Sequence, residues 1–147
     1  MNYLFAGEKI VKRLKEVVPE FKEVLKAGEL ALIHQKSQQS PTAYVIYQGD
    51  VINANTPANG TLGKAQYVKQ QWLVVVVVNM SDKRHIYNDT DELAGELIDK
   101  TLKALMGYVL DKQCKPLTRS AKSIKAEYID GFGYFPFIFD VNFIHKA

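Results

Sequence analysis

The sequence predicts an α+β fold: a mainly antiparallel sheet of four to five strands with two main helices packed on one face. Three observations lead there. The stretch QQWLVVVVVNM carries five consecutive valines at 74–78 and is apolar in both alternating registers, as a strand buried on two sides must be. The segment YFPFIFDVNFIH at 134–145 alternates, with Phe135, Phe137, Phe139, Val141 and Phe143 on one face. Two longer stretches have helical periodicity, and the strands follow one another through turns, without serial strand–helix–strand crossovers.

Taken in order, Leu4, Ile10, Val11, Leu14, Val17 and Val18 recur at helical spacing against a basic outer side, and Pro19 stops that helix by disfavouring the helical conformation in the residue before it. Residues 21–26 fit either a strand or a short helix, because Phe21, Val24 and Leu25 suit both. A short helix at 29–35 and a polar loop at 36–42 (KSQQSPT) follow. AYVIYQ at 43–48 is a strand by its β-branched and aromatic content. GDVINANTPANGTLG at 49–63 reads as a long connection, and 64–80 as one long strand. Asp89 or Thr90 caps the next helix, with Glu92 completing a capping box and Asp91 adding charge to the first turn. Its predicted buried stripe is Leu93, Leu97, Thr101, Leu102, Leu105 and Val109, and Gly107 supplies the stop. After a loop at Pro116 and Leu117, SIKAEYID at 123–130 alternates as a strand. A tight turn at Gly131-Phe132-Gly133 then makes a hairpin with the final strand.

The chain of 147 residues suits one domain, with no internal repeat and no linker. At 47% hydrophobic and 24% charged residues it has the composition of a soluble globular protein able to bury one core. No stretch is long and apolar enough for a spanning helix, and the start MNYLFAGEKIVKRLK lacks the pattern of a signal peptide. The lone Cys114 fits a reducing compartment. A net charge of +3 is too weak to argue a nucleic-acid partner.

Chemistry is hard to place. No glycine-rich turn follows the valine strand before Gly95, so neither a dinucleotide fold nor a phosphate loop is indicated. His34, His85 and His145 are far apart, and none has a second ligand one helical turn away. Lys112 and Lys115 flank Cys114 and would lower its pKa, but no histidine is placed to pair with it. Asp89, Asp91 and Glu92 are explained by a helix start, and no calcium-loop spacing is present. Catalytic residues, a metal and a cofactor are therefore not expected. The double-sided valine run needs a second cover, and the simplest source is another copy of the chain or a partner.

Several stretches together resemble the phage tail terminator family: PTAYVIYQGD at 41–50, QQWLVVVVV, ALMGYV at 104–109, the Pro116-Leu117 pair and the hairpin EYIDGFGYFPFIFDVNF. The resemblance runs along nearly the whole chain. It implies a non-enzymatic virion protein, assembled in the host cytoplasm, that sits as a ring, commonly of six copies, at the head-proximal end of the tail. There it would stop tube growth and offer a surface for the head. Its implied partners are its own copies, the tail tube protein and a head-completion protein, with non-specific proximity to DNA in the ring lumen and no membrane. On that reading Asp50, Asn53, Asn55, Asn59 and Lys64 are candidate partner contacts on the long connection, and Lys83, Arg84 and His85 could face an acidic neighbour or DNA. Three other readings stay open: a head-completion or connector ring subunit, a small-ligand-binding or enzymatic α+β domain with a cleft beside the long connection, and a nucleic-acid-binding module.

Overall fold

The computed structural model describes residues 2–34, 40–52, 63–80 and 89–147, with backbone only at 89–91. The elements in order are α1 (Phe5–Val17), β1 (Glu23–Ala27), α2 (Leu30–Ile33), β2 (Thr42–Ile52), β3 (Ala65–Asn79), α3 (Asp89–Leu105), β4 (Thr118–Arg119), β5 (Glu127–Ile129) and β6 (Phe132–Lys146). Strand order is β1-β2-β3-β6-β4, with β5 also on β6. The fold is α+β as expected, but the sheet has six strands and is mixed, because β1 runs parallel to β2. Residues 21–26, ambiguous by pattern, supply most of β1. Val24 faces the core while Leu25 stays exposed, so the half-buried edge strand never builds a long alternating signal.

The long strands β3 and β6 pair antiparallel over their full length, from Ala65 opposite Lys146 to Asn79 opposite Phe132. On the other edge of β3, β2 pairs in register from Thr42 opposite Val77 to Tyr47 opposite Trp72. It then slips by one residue at Gln48 and resumes with Gly49 opposite Gln71. Gly49 sits at φ 117°, a conformation open to glycine, and it lets the extra residue be absorbed as a bulge. Four of the predicted connection's residues, 49–52, thus belong to β2.

Alternation divides the sheet into two faces. On the first, Val45, Val68, Trp72, Val74, Val76, Phe139, Val141 and Phe143 share a core with Ala6, Ile10, Leu14 and Val18 from and after α1, and with Leu97, Ala104 and Leu105 of α3. The second face carries Tyr44, Ile46, Leu73, Val75, Val77, Tyr134 and Ile138. Ile33 of α2, Ile124 and Ile129 pack on it. Val74 to Val77 have no exposed surface at all in the single chain. The expectation that a neighbour must supply the second cover is corrected here: α2 and the segment around β5 do so. Each fully buried valine contributes about 1.5–3 kcal/mol.

Other boundaries move for physical reasons. Asp130 and Gly131 both have positive φ (51° and 82°), the two-residue turn that matches strand twist. The turn is therefore Asp130-Gly131, one residue earlier than expected, and Gly133 lies inside β6 opposite Val78 and Tyr128. The predicted strand at 123–130 shrinks to three residues, with Tyr128 exposed. On α3 the buried positions are Ala94, Leu97, Thr101, Ala104 and Leu105; Leu93 and Val109 are exposed. Leu97, Thr101 and Leu105 of the expected stripe are thus buried as read, while Leu93, and Val109 beyond the helix end, are not. The helix stops as expected before Gly107, which adopts φ 79°. Arg13 ties the helices together: its Nε donates to the Ala104 carbonyl at 2.9 Å, at the negative end of α3, and its guanidinium lies 4.1 Å from the Tyr108 ring centre. No helix among the described residues is long and apolar enough to cross a membrane.

The seat of α1 is set by Gly7, where a Cβ would stand 2.8 Å from the Trp72 ring. Gly95, in α3, faces open space. Gly7→Ala is expected to lower stability by about 1–3 kcal/mol through overpacking, and Gly95→Ala to raise it by about 0.5–1 kcal/mol by cutting unfolded-chain entropy. Urea unfolding of both variants checks the pair.

Candidate functional site

The lower end of the sheet, away from the valines, carries the polar side chains Lys69, Gln70 and Gln71 of β3. On the first face, Gln70 is wholly buried. Its Nε2 donates to the Tyr3 carbonyl at 2.7 Å, and its Oε1 accepts from Trp72 Nε1 at 3.0 Å. The Tyr3 hydroxyl donates to Asp50 Oδ2. The Tyr3 ring stands edge-on to Phe143 and His145. The chain before α1 is thus fastened across β2, β3 and β6. Burial, then the Asp50 carboxylate, pushes the Tyr3 phenol up to about 12, and the same two causes raise Tyr47. The phenol thus stays protonated at neutral pH and keeps its hydrogen bond to Asp50.

On the second face the lower half of the sheet has, among the described residues, no cover like that over the valines. Register puts Val51, Tyr67, Lys69, Asn142 and Ile144 on this side. Together with Lys112, Gln113 and Lys115 beyond the β6 edge they line a trough of about 780 Å³. Its floor mixes apolar and polar groups. Lys69, Lys112 and Lys115 have no carboxylate within ion-pair distance among the described residues, whereas Lys9, Lys26, Lys100 and Lys103 each have one. At the trough's side Cys114 forms a bridge to Phe143 and is buried. Burial pushes its thiol up, with Asp111 adding to the effect. This is the opposite of the lowering expected from Lys112 and Lys115: the cation that does lower it is Lys9, and burial outweighs it.

Of the sequence-predicted contacts, Asp50 lies in β2 and is engaged by Tyr3, and Lys64 is exposed just before β3. Asn53, Asn55, Asn59, Lys83, Arg84 and His85 lie outside the described residues, as do the capping side chains Asp89, Thr90 and Asp91. Asp50 and Lys64 are not brought into one site. The sequence does not mark the trough: Lys112 and Lys115 stand out in it only as neighbours of Cys114, and Lys69 only as a strand residue. The alternation of Tyr67, Lys69 and Gln71 against the apolar 73–77 was the available signal. His34 Nε2 sits 3.4 Å from Glu127 Oε2, linking α2 to β5, and His145 is exposed at the far end of β6. Among the described residues no group of His, Cys, Asp and Glu could hold a metal.

A family model described as phage tail terminator protein matches residues 1–147. No curated protein matches the chain. Among solved structures, a chain described as "Virion of native gene transfer agent (GTA) particle" is similar with a TM-score of 0.57. It is 13% identical, over 97% of this chain and 99% of that one, a likeness of fold.

Gln70→Leu is expected to destabilise by roughly 2 kcal/mol or more, since it strands the Trp72 N–H and the Tyr3 carbonyl without partners. The raised Tyr3 pKa means that the folded state holds a proton the unfolded state releases. Its contribution is complete below pH 10 and is lost as pH rises through about 12. Tyr3→Phe should flatten that alkaline loss in unfolding free energy measured across the range.

Proposed function

The chain belongs to the phage tail terminator family, a family of virion structural proteins, and we propose that it caps the tail tube as a ring of its own copies. In that role it stops tube polymerisation and forms the surface to which the head attaches. The observation that carries the proposal is the extent of the family match, residues 1–147. The ring is hexameric and sits at the head-proximal end of the tail, assembled in the host cytoplasm. It meets the tail tube protein on one side and a head-completion protein on the other, with DNA passing through its lumen.

On this proposal the chain works as a single domain, without catalysis or a cofactor. The raised Cys114 thiol and the solvent-facing trough lysines favour a contact surface over a reactive centre. Asp50, Asn53, Asn55, Asn59 and Lys64 face the tube or a neighbouring copy, and Lys83, Arg84 and His85 face an acidic neighbour or DNA.

Electron microscopy of particles from a phage or prophage lacking the gene tests the proposal. Overlong, headless tails are the expected outcome. Normal-length headless tails would move the protein to a connector or completion role, and intact infectious particles would sink both.

A further inference from the structure

We propose that the trough receives the exposed patch of Glu92, Leu93 and Glu96 on α3 from a second copy of this chain, in a head-to-tail contact. The inference rests on the ring reading only in that such a contact is the kind that closes rings. Two patches carry it. The trough sets Lys69, Lys112 and Lys115 around Val51, Tyr67 and Ile144. On α3, Glu92, Leu93 and Glu96 are all exposed, Leu93 at 46%. Glu92 and Glu96 are one helical turn apart, and Leu93 is three residues before Glu96, so the three form one patch: an apolar side chain flanked by two carboxylates.

The charges left over on each patch are complementary. Further along the same helix Asp99 pairs with Lys103 and Lys100 with Glu20, whereas Glu92 and Glu96 have no ion pair among the described residues. The trough lysines likewise have no carboxylate at ion-pair distance among the described residues, so three cations stand together around an apolar floor. An exposed leucine between carboxylates matches an apolar floor between ammonium groups.

The two patches cannot meet within one copy. α3 packs on the first face of the sheet, and the side chains of Val51, Tyr67, Lys69, Asn142 and Ile144 are on the second. Two different patches in contact make a heterologous interface, which closes into a ring or runs on as a filament. A symmetric pairing of troughs would set lysines against lysines and is opposed by their charge.

The test uses the full chain in sedimentation velocity at low and high salt. It compares wild type with the Lys69→Glu/Lys112→Glu variant, the Glu92→Lys/Glu96→Lys variant, the combination of all four changes, and a control, Lys15→Glu/Lys122→Glu, at exposed lysines elsewhere. Wild type and control should self-associate, more weakly in high salt. Each double reversal should weaken association by about tenfold or more. The fourfold variant should regain it, and an equimolar mixture of the two double variants should associate where neither does alone. Three results would overturn the contact: a wild-type chain that stays monomeric at its highest soluble concentration in low salt, double variants that associate like wild type, or a fourfold variant that fails to recover. So would trough substitutions that abolish binding of a short single-stranded DNA and leave self-association unchanged. Because the tail phenotype is scored separately, overlong tails with no salt-dependent self-association would keep the capping role and remove this contact.

Discussion

A strand that is apolar on both faces demands four neighbours: a strand on each edge to satisfy its backbone and a layer over each side. β3 is that strand, and the architecture is the answer to its demand. β2 and β6 take the edges, α1 and α3 cover one side, and α2 with the segment around β5 covers the other. The short elements that looked incidental are therefore structural. Without Ile33, Ile124 and Ile129 the second face at Leu73, Val75 and Val77 would open to water.

The same strand changes character halfway along. Above Trp72 both faces are apolar; below it Gln70 and Val68 continue the first face, while Lys69 and Tyr67 belong to the second. The transition is held by one buried amide. Gln70 satisfies the indole of Trp72 and the carbonyl of Tyr3 together, and Trp72 in turn fits against the missing side chain of Gly7. Helix position, the path of the chain before it and the end of the core are thus coupled through three residues in contact. Surface ion pairs such as that of Lys9 with Asp111 add little by comparison, being half exposed.

How much could be read from the sequence follows from the kind of signal each element emits. Long, periodic elements were legible: α1, α3, β3 and β6 are where alternation or helical spacing placed them. β1 was ambiguous because an edge strand of five residues buries only one side chain well. Its parallel pairing could not be foreseen, since it depends on where α2 sends the chain. The buried stripe of α3 is legible at Leu97, Thr101 and Leu105; it is missed at Ala94 and Ala104, which hydrophobicity ranks low, and overextended to Leu93 and Val109, which are exposed. Sequence alone points to a neighbour for the second cover because the segment at 120–126 carries only Ile124 as a strong apolar mark. The candidate site was least legible. Its lysines come from β3 and from the loop after α3, and only the pairing of β3 with β6 and of Cys114 with Phe143 brings them to one trough.

The pairing of β3 with β6 has a kinetic side. It joins residues 65–79 to residues 132–146, so loop entropy is spent before the contacts reward it. The hairpin of β2 with β3 is local by comparison and is free to form first. A chain whose β6 had not yet paired would show the valine-rich edge of β3, the kind of surface that templates association with any other extended chain. Refolding yield is therefore expected to fall as protein concentration rises. The sequence that makes the finished sheet tight makes the half-finished one adhesive.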